Sequence, residues 1–129
     1  FNCKQEMVFG CPSPDSYLNL FYEKFWRDIY PEWKEADASE EQNLQKAFYN
    51  KHSERFLNFY SATNPVEDIA ESWTHFILWQ KPQGESMAEE KILFFYEFPE
   101  LVQLRYEIIK RICTYQGPSD QILENGTGK

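Results

Sequence analysis

The chain has 129 residues, a length that suits one domain with a single core. Its net charge of −8 excludes sequence-independent nucleic-acid binding, which needs a basic surface, and argues against docking on anionic lipid. No run of about 18 apolar residues is present, so no transmembrane helix is expected. Four Trp, eight Tyr and eleven Phe supply a large apolar area for a packed core.

In chain order, residues 1–14 read as a lead-in loop punctuated by Gly10, Pro12 and Pro14, with Ser13 or Asp15 placed to cap the first helix. The residues show no secretory leader, and a start at Phe1 reads as the interior of a longer parent. Cys3, Cys11 and Cys113 are odd in number. A Cys3–Cys11 disulfide and three unpaired thiols are both open, and no Cys-x-x-Cys or His/Cys cluster points to a cysteine zinc site.

The spacing of Tyr17, Leu18, Phe21, Phe25 and Ile29 predicts an amphipathic helix over 15–30, and Pro31 ends it or begins a short turn with Trp33. Residues 34–39 are polar. Ser39-Glu-Glu-Gln42 has the form of a capping box and predicts a helix over about 40–50. His52 and Ser53 mark a break, where His52 is expected to be solvated. Asn64-Pro65 opens a helix over 65–80, since Pro is well placed in a first turn. Lys81-Pro-Gln-Gly84 closes it. Ser86 caps a helix over 87–97, and a last helix runs over 99–114 until Gly117-Pro118 stops it. Residues 115–129 read as a disordered tail. No segment alternates over strand length, so the expected fold is all-α, with about five or six helices around an aromatic-rich core in a helical domain over 15–114.

The helix over 65–80 carries two carboxylates, Glu67 and Glu71, one turn apart. Val66, Ile69, Ala70, Trp73, Phe76 and Ile77 share one face, and Glu67, Glu71, Thr74 and Leu78 another. Because Phe76-Ile-Leu-Trp79 makes the second half apolar nearly all round, the helix is expected to be buried, with both glutamates facing a wall or cleft. Bland readings compete with this one. The stripe can be solvated. Glu67 can be the N3 residue of a capping box opened by Asn64. His75, four residues after Glu71, can form a surface pair.

The segment Tyr60-Ser-Ala-Thr-Asn-Pro-Val-Glu67-Asp-Ile-Ala-Glu71 resembles the glutamate-helix motif of the gluzincin metallopeptidases. The form is similar to the branch containing anthrax lethal factor and the Pro-Pro endopeptidases, and to zinc-binding metallopeptidases of the bacterial cell envelope. The flanks Ser16-Tyr-Leu-Asn-Leu-Phe-Tyr-Glu-Lys-Phe-Trp26 and Lys91-Ile-Leu-Phe-Phe-Tyr-Glu-Phe-Pro-Glu-Leu-Val-Gln-Leu-Arg105 extend the resemblance over roughly residues 15–112. It implies the C-terminal helical subdomain of a zincin. Glu67 would be the third zinc ligand, Glu71 a carboxylate orienting a ligand histidine, and Tyr60 the donor to the oxyanion formed on a peptide substrate. The chain itself has no His-Glu-x-x-His. The resemblance therefore implies that the two histidine ligands and the base come from an upstream segment of the same parent, and that this part alone is inactive. It also implies an extracellular or cell-envelope setting, as a secreted protein or a lipoprotein. A non-catalytic all-helical module that binds a protein or peptide is the alternative.

Overall fold

The computed structural model describes residues 10–39 and 41–115. Among them are six α-helices, two short 3₁₀ turns and no strand. The helices are α1 (Tyr17–Phe25), α2 (Tyr30–Ala38), α3 (Gln42–Lys51), α4 (Pro65–Leu78), α5 (Met87–Tyr96) and α6 (Pro99–Tyr115). The 3₁₀ turns, Ser53–Arg55 and Tyr60–Thr63, lie between α3 and α4. The all-α expectation holds. The stop expected at Gly117-Pro118 and residues 116–129 of the expected tail lie outside the described residues, and Tyr115, placed first in that tail, ends α6 instead.

The first helix is shorter than its apolar spacing predicts. It ends at Phe25, and residues 26–29 form a turn in which the Trp26 and Arg27 amides both donate to the Tyr22 carbonyl. Pro31 does not end a helix. It sits in the first turn of α2, where a missing N–H is harmless, and α2 runs through the stretch expected to be merely polar. Tyr30, Trp33 and Ala36 turn its inner side to the core.

Local capping explains most of the other boundaries. The Ser16 hydroxyl, rather than Ser13 or Asp15, accepts from the Asn19 amide at 3.1 Å and starts α1. Asn64 and Ser86 cap α4 and α5 as their positions predict. The box expected at Ser39 does not form. Ser39 lies at the C-terminal end of α2, and its hydroxyl accepts from the Glu41 amide instead. Gly84, between α4 and α5, has φ +87° and lies against Leu93. That backbone conformation favours glycine, and an added Cβ would meet Leu93 Cδ1 at 3.0 Å.

Trp26, Phe21, Phe25, Phe76 and Phe95 are fully buried, and aromatic edges hold the core together. Trp26 packs edge-on against Trp33 and Phe56, Phe21 against Phe94, and Trp73 against Phe95. Such pairs contribute about 0.5–1.5 kcal/mol each beyond burial. The result places α4 against the Tyr60–Thr63 turn on one side and against α1, α5 and α6 on others.

Candidate functional site

The acidic helix starts from Asn64, whose extended backbone lets its side chain turn back over the first turn. Asn64 Oδ1 accepts from the Glu67 amide at 2.8 Å. The reciprocal half of a capping box is absent among the described residues, because the Glu67 carboxylate makes no return bond to the Asn64 amide. Glu67 is exposed, and its carboxylate has no hydrogen-bond or ion-pair partner among the described residues.

Glu71, one turn on, is half-buried. Asn58 Nδ2 donates to its Oε2 at 3.1 Å. The same Asn58 accepts, through Oδ1, from the Ser61 amide at 2.9 Å and the Ser61 hydroxyl at 3.0 Å. One asparagine thus ties the turn that carries Tyr60 to the carboxylate of α4. Tyr60 is 69% exposed, its ring meets Phe59 edge-on, and its hydroxyl has no partner among the described residues. The Thr63 hydroxyl donates to the Tyr60 carbonyl and tightens the turn. No bond or ring contact joins Tyr60 to Glu67 directly. The structure brings Tyr60 and Glu71 into one framework through Asn58 and leaves Glu67 free on the same helix.

Burial along α4 differs from the expected pattern. The buried stripe is Pro65, Asp68, Ser72, Phe76 and Ile77. Glu67, Ala70 and Thr74 are exposed, so Glu67 faces no wall. Nor is the apolar second half enclosed, since Leu78 is 63% and Trp79 61% exposed. Arg105 of α6 donates to the carbonyls of Phe76 and Trp79 at 2.6 and 3.1 Å, holding the helix end without covering it. The inward stripe carries a polar contact. Asp68 Oδ2 pairs with Lys91 Nζ at 2.7 Å, and both side chains are fully buried. Trp26 Nε1 donates to the same oxygen at 2.7 Å. Burial pushes the Asp68 carboxyl up to about 6, against the Lys91 charge and the two hydrogen bonds that pull it down. Burial likewise pulls the Lys91 ammonium down, against the Asp68 charge.

The histidines are engaged elsewhere. His75 Nδ1 donates to the Glu71 carbonyl at 2.9 Å, and its ring stacks on Trp79 with centroids 5.2 Å apart. It bonds the helix backbone, and no pair with the Glu71 carboxylate forms. His52 is not solvated as expected. Its ring packs on Phe48, and Nε2 meets Glu32 Oε2 at 2.9 Å. The hydrogen bonds from His52 and then Lys51 hold the Glu32 carboxyl below its usual range. Cys11 is disulfide-bonded, which removes the reading of three unpaired thiols, and Cys113 is a free, exposed thiol. Cys3 lies outside the described residues.

Among the described residues no group of three or more His, Cys, Asp or Glu side chains could hold a metal ion. One free carboxylate, with a second held by Asn58, fits one ligand position and its support. It falls short of the three protein ligands of a catalytic zinc site. Sequence reasoning missed Asn58 and Lys91. Lys91 had a signal, a lone cation at helical spacing with Ala88, Ile92 and Phe95. Asn58 had none. Comparison of the chain with known protein families, with curated proteins and with solved structures found no match.

Proposed function

We propose that this chain is the glutamate-helix part of a zinc metallopeptidase catalytic domain. Glu67 serves as one zinc ligand, Glu71 orients a ligand histidine, and Tyr60 donates to the oxyanion of a peptide or protein substrate. The histidine ligands and the general base belong to an upstream His-Glu-x-x-His segment of the parent. Zinc in such a site polarises the scissile carbonyl and acidifies a bound water. The single observation that carries this reading is the state of Glu67. Its amide is capped while its carboxylate is unspent, so the cap does not account for the side chain. The hydrogen bond from Asn58 supports the role of Glu71, because a carboxylate held at one oxygen keeps the other for a partner. The exposed, unpartnered Tyr60 hydroxyl supports donation to a ligand. The disulfide at Cys11 agrees with an oxidising extracellular or cell-envelope setting, as in a secreted protein or a lipoprotein.

The test supplies the His-Glu-x-x-His segment and measures zinc stoichiometry and peptide cleavage. Glu67→Ala is expected to lose zinc, and Tyr60→Phe to keep zinc and lose turnover. Unchanged metal content and turnover in Glu67→Ala would remove Glu67 from the site. A second reading, a helical module that binds a protein or peptide, draws on Leu78 and Trp79, which lie exposed at the end of α4. It expects Leu78→Ser/Trp79→Ser to abolish partner binding and Glu67→Ala to leave it intact.

A further inference from the structure

Glu67 and Asp68 are adjacent, yet their side chains have opposite surroundings. Glu67 is exposed and Asp68 is fully buried. Asp68 Oδ2 receives Trp26 Nε1 from the turn after α1 and Lys91 Nζ from α5, each at 2.7 Å. Lys91 also donates to the Arg55 carbonyl, and its ammonium lies 4.1 Å from the centroid of the Phe56 ring. The carboxylate therefore ties the first turn of α4 to the turn after α1 and to α5, and Lys91 extends the tie to Arg55 and Phe56. Apolar contacts are non-directional and tolerate rotation of a helix about its axis. Charge-assisted hydrogen bonds do not, because donor and acceptor must stay aligned. Successive residues differ by about 100° around a helix, so fixing Asp68 inward fixes Glu67 outward.

We propose that the buried Asp68–Lys91–Trp26 cluster is a positioning device that sets the rotation of α4 and so aims the Glu67 carboxylate. Its purpose rests on the reading of Glu67 as a metal ligand, whereas its mechanical action does not. Removing one member of a buried pair leaves an uncompensated charge, so single variants are expected to lose the fold. The informative variant is Asp68→Val/Lys91→Met, which removes both charges and the directional bonds while filling the space with apolar groups.

The experiment compares thermal unfolding and amide hydrogen exchange of the full chain with those of this double variant. The expected result is a retained midpoint, with protection of the Glu67–Ser72 amides lowered at least about tenfold relative to the Phe94 and Phe95 amides. A cluster that only supports the fold predicts exchange that follows global stability everywhere. Protection that is unchanged, or lowered equally in α4 and α5, overturns the proposal, as does a double variant that fails to fold. Cobalt(II) titration of the chain joined to a His-Glu-x-x-His segment separates the two claims. Glu67→Ala with unaltered cobalt binding refutes the ligand assignment and leaves the exchange result standing.

Discussion

Ser72 shows how sharply the interior of α4 is specified at the level of single atoms. Its hydroxyl is fully buried and has no hydrogen-bond partner among the described residues. A desolvated hydroxyl without a partner costs about 1–3 kcal/mol. Ser72→Ala is therefore expected to raise stability by about 1 kcal/mol, read as a higher urea midpoint with an unchanged slope. A fall in the midpoint would show that the hydroxyl is paired, most simply through a water shared with Asp68 Oδ1. That atom is also unpartnered, one turn earlier on the same stripe. These residues also mark the limit of hydrophobic periodicity as a guide. Scoring residues by apolarity places Asp68 and Ser72 outward, and the structure places both inward, Ser72 with no partner among the described residues and Asp68 with Lys91 as its partner. The partner lies 23 positions away, on another helix, and no local window contains both.

At the scale of elements, the turn after α1 and the 3₁₀ turn at Ser53–Arg55 are joined by an arginine fork. Arg55 Nη1 and Nη2 donate to the two oxygens of Asp28 at 2.9 and 2.8 Å, and Nη2 also reaches the Phe25 carbonyl. The hydrogen bonds from Arg55 hold the Asp28 carboxyl below its ordinary value of 3.8. The folded state thus binds this proton less readily than the unfolded state. The stabilisation is fully present above the unfolded value and is lost as pH falls through the folded one. Asp28→Asn is expected to lower the midpoint slightly near neutral pH and to flatten the acid limb by the same small amount, because the carboxylate is largely exposed. Thermal midpoints taken between neutral pH and pH 3 check this, and an unaltered acid limb would place the acid-sensitive group elsewhere. The same junction explains why the first two helices merge in a sequence reading. Trp26 and Ile29 continue the apolar spacing of α1 because both are buried from the turn that follows it. Pro31 in sequence suggests a helix end or a short turn, and the structure uses it in the first turn of the next helix. Asn64 and Ser86 cap their helices where the sequence places them, whereas Ser16 takes the cap expected of Ser13 or Asp15.

For the whole molecule, the all-helical architecture was readable because the aromatic residues recur at helical spacing and no stretch alternates. The site was readable only as residue types. Spacing placed Glu67 and Glu71 on one side of α4, but the exposure of Glu67 depends on the buried ion pair that rotates the helix. The hold on Glu71 depends on Asn58, in a segment without periodicity. This arrangement makes a thermodynamic prediction. A ligand that binds the folded state stabilises it in proportion to the logarithm of one plus the ratio of its free concentration to Kd, by about 2.7 kcal/mol at a free concentration 100 times Kd. Glu67 alone offers one carboxylate, so zinc or a chelator is expected to leave the thermal midpoint of this chain unchanged. Joined to a His-Glu-x-x-His segment, the chain is expected to gain stability with zinc, and Glu67→Ala to abolish the gain. Without metal, Glu67→Ala should alter stability by at most about 1 kcal/mol, the scale of a carboxylate's interaction with the helix dipole. Its side chain has no other partner to lose. Glu71→Ala is expected to weaken zinc binding by about 10–100-fold. A zinc-dependent gain that survives Glu67→Ala would mean that the metal is held without Glu67, and that the free carboxylate is an ordinary surface group.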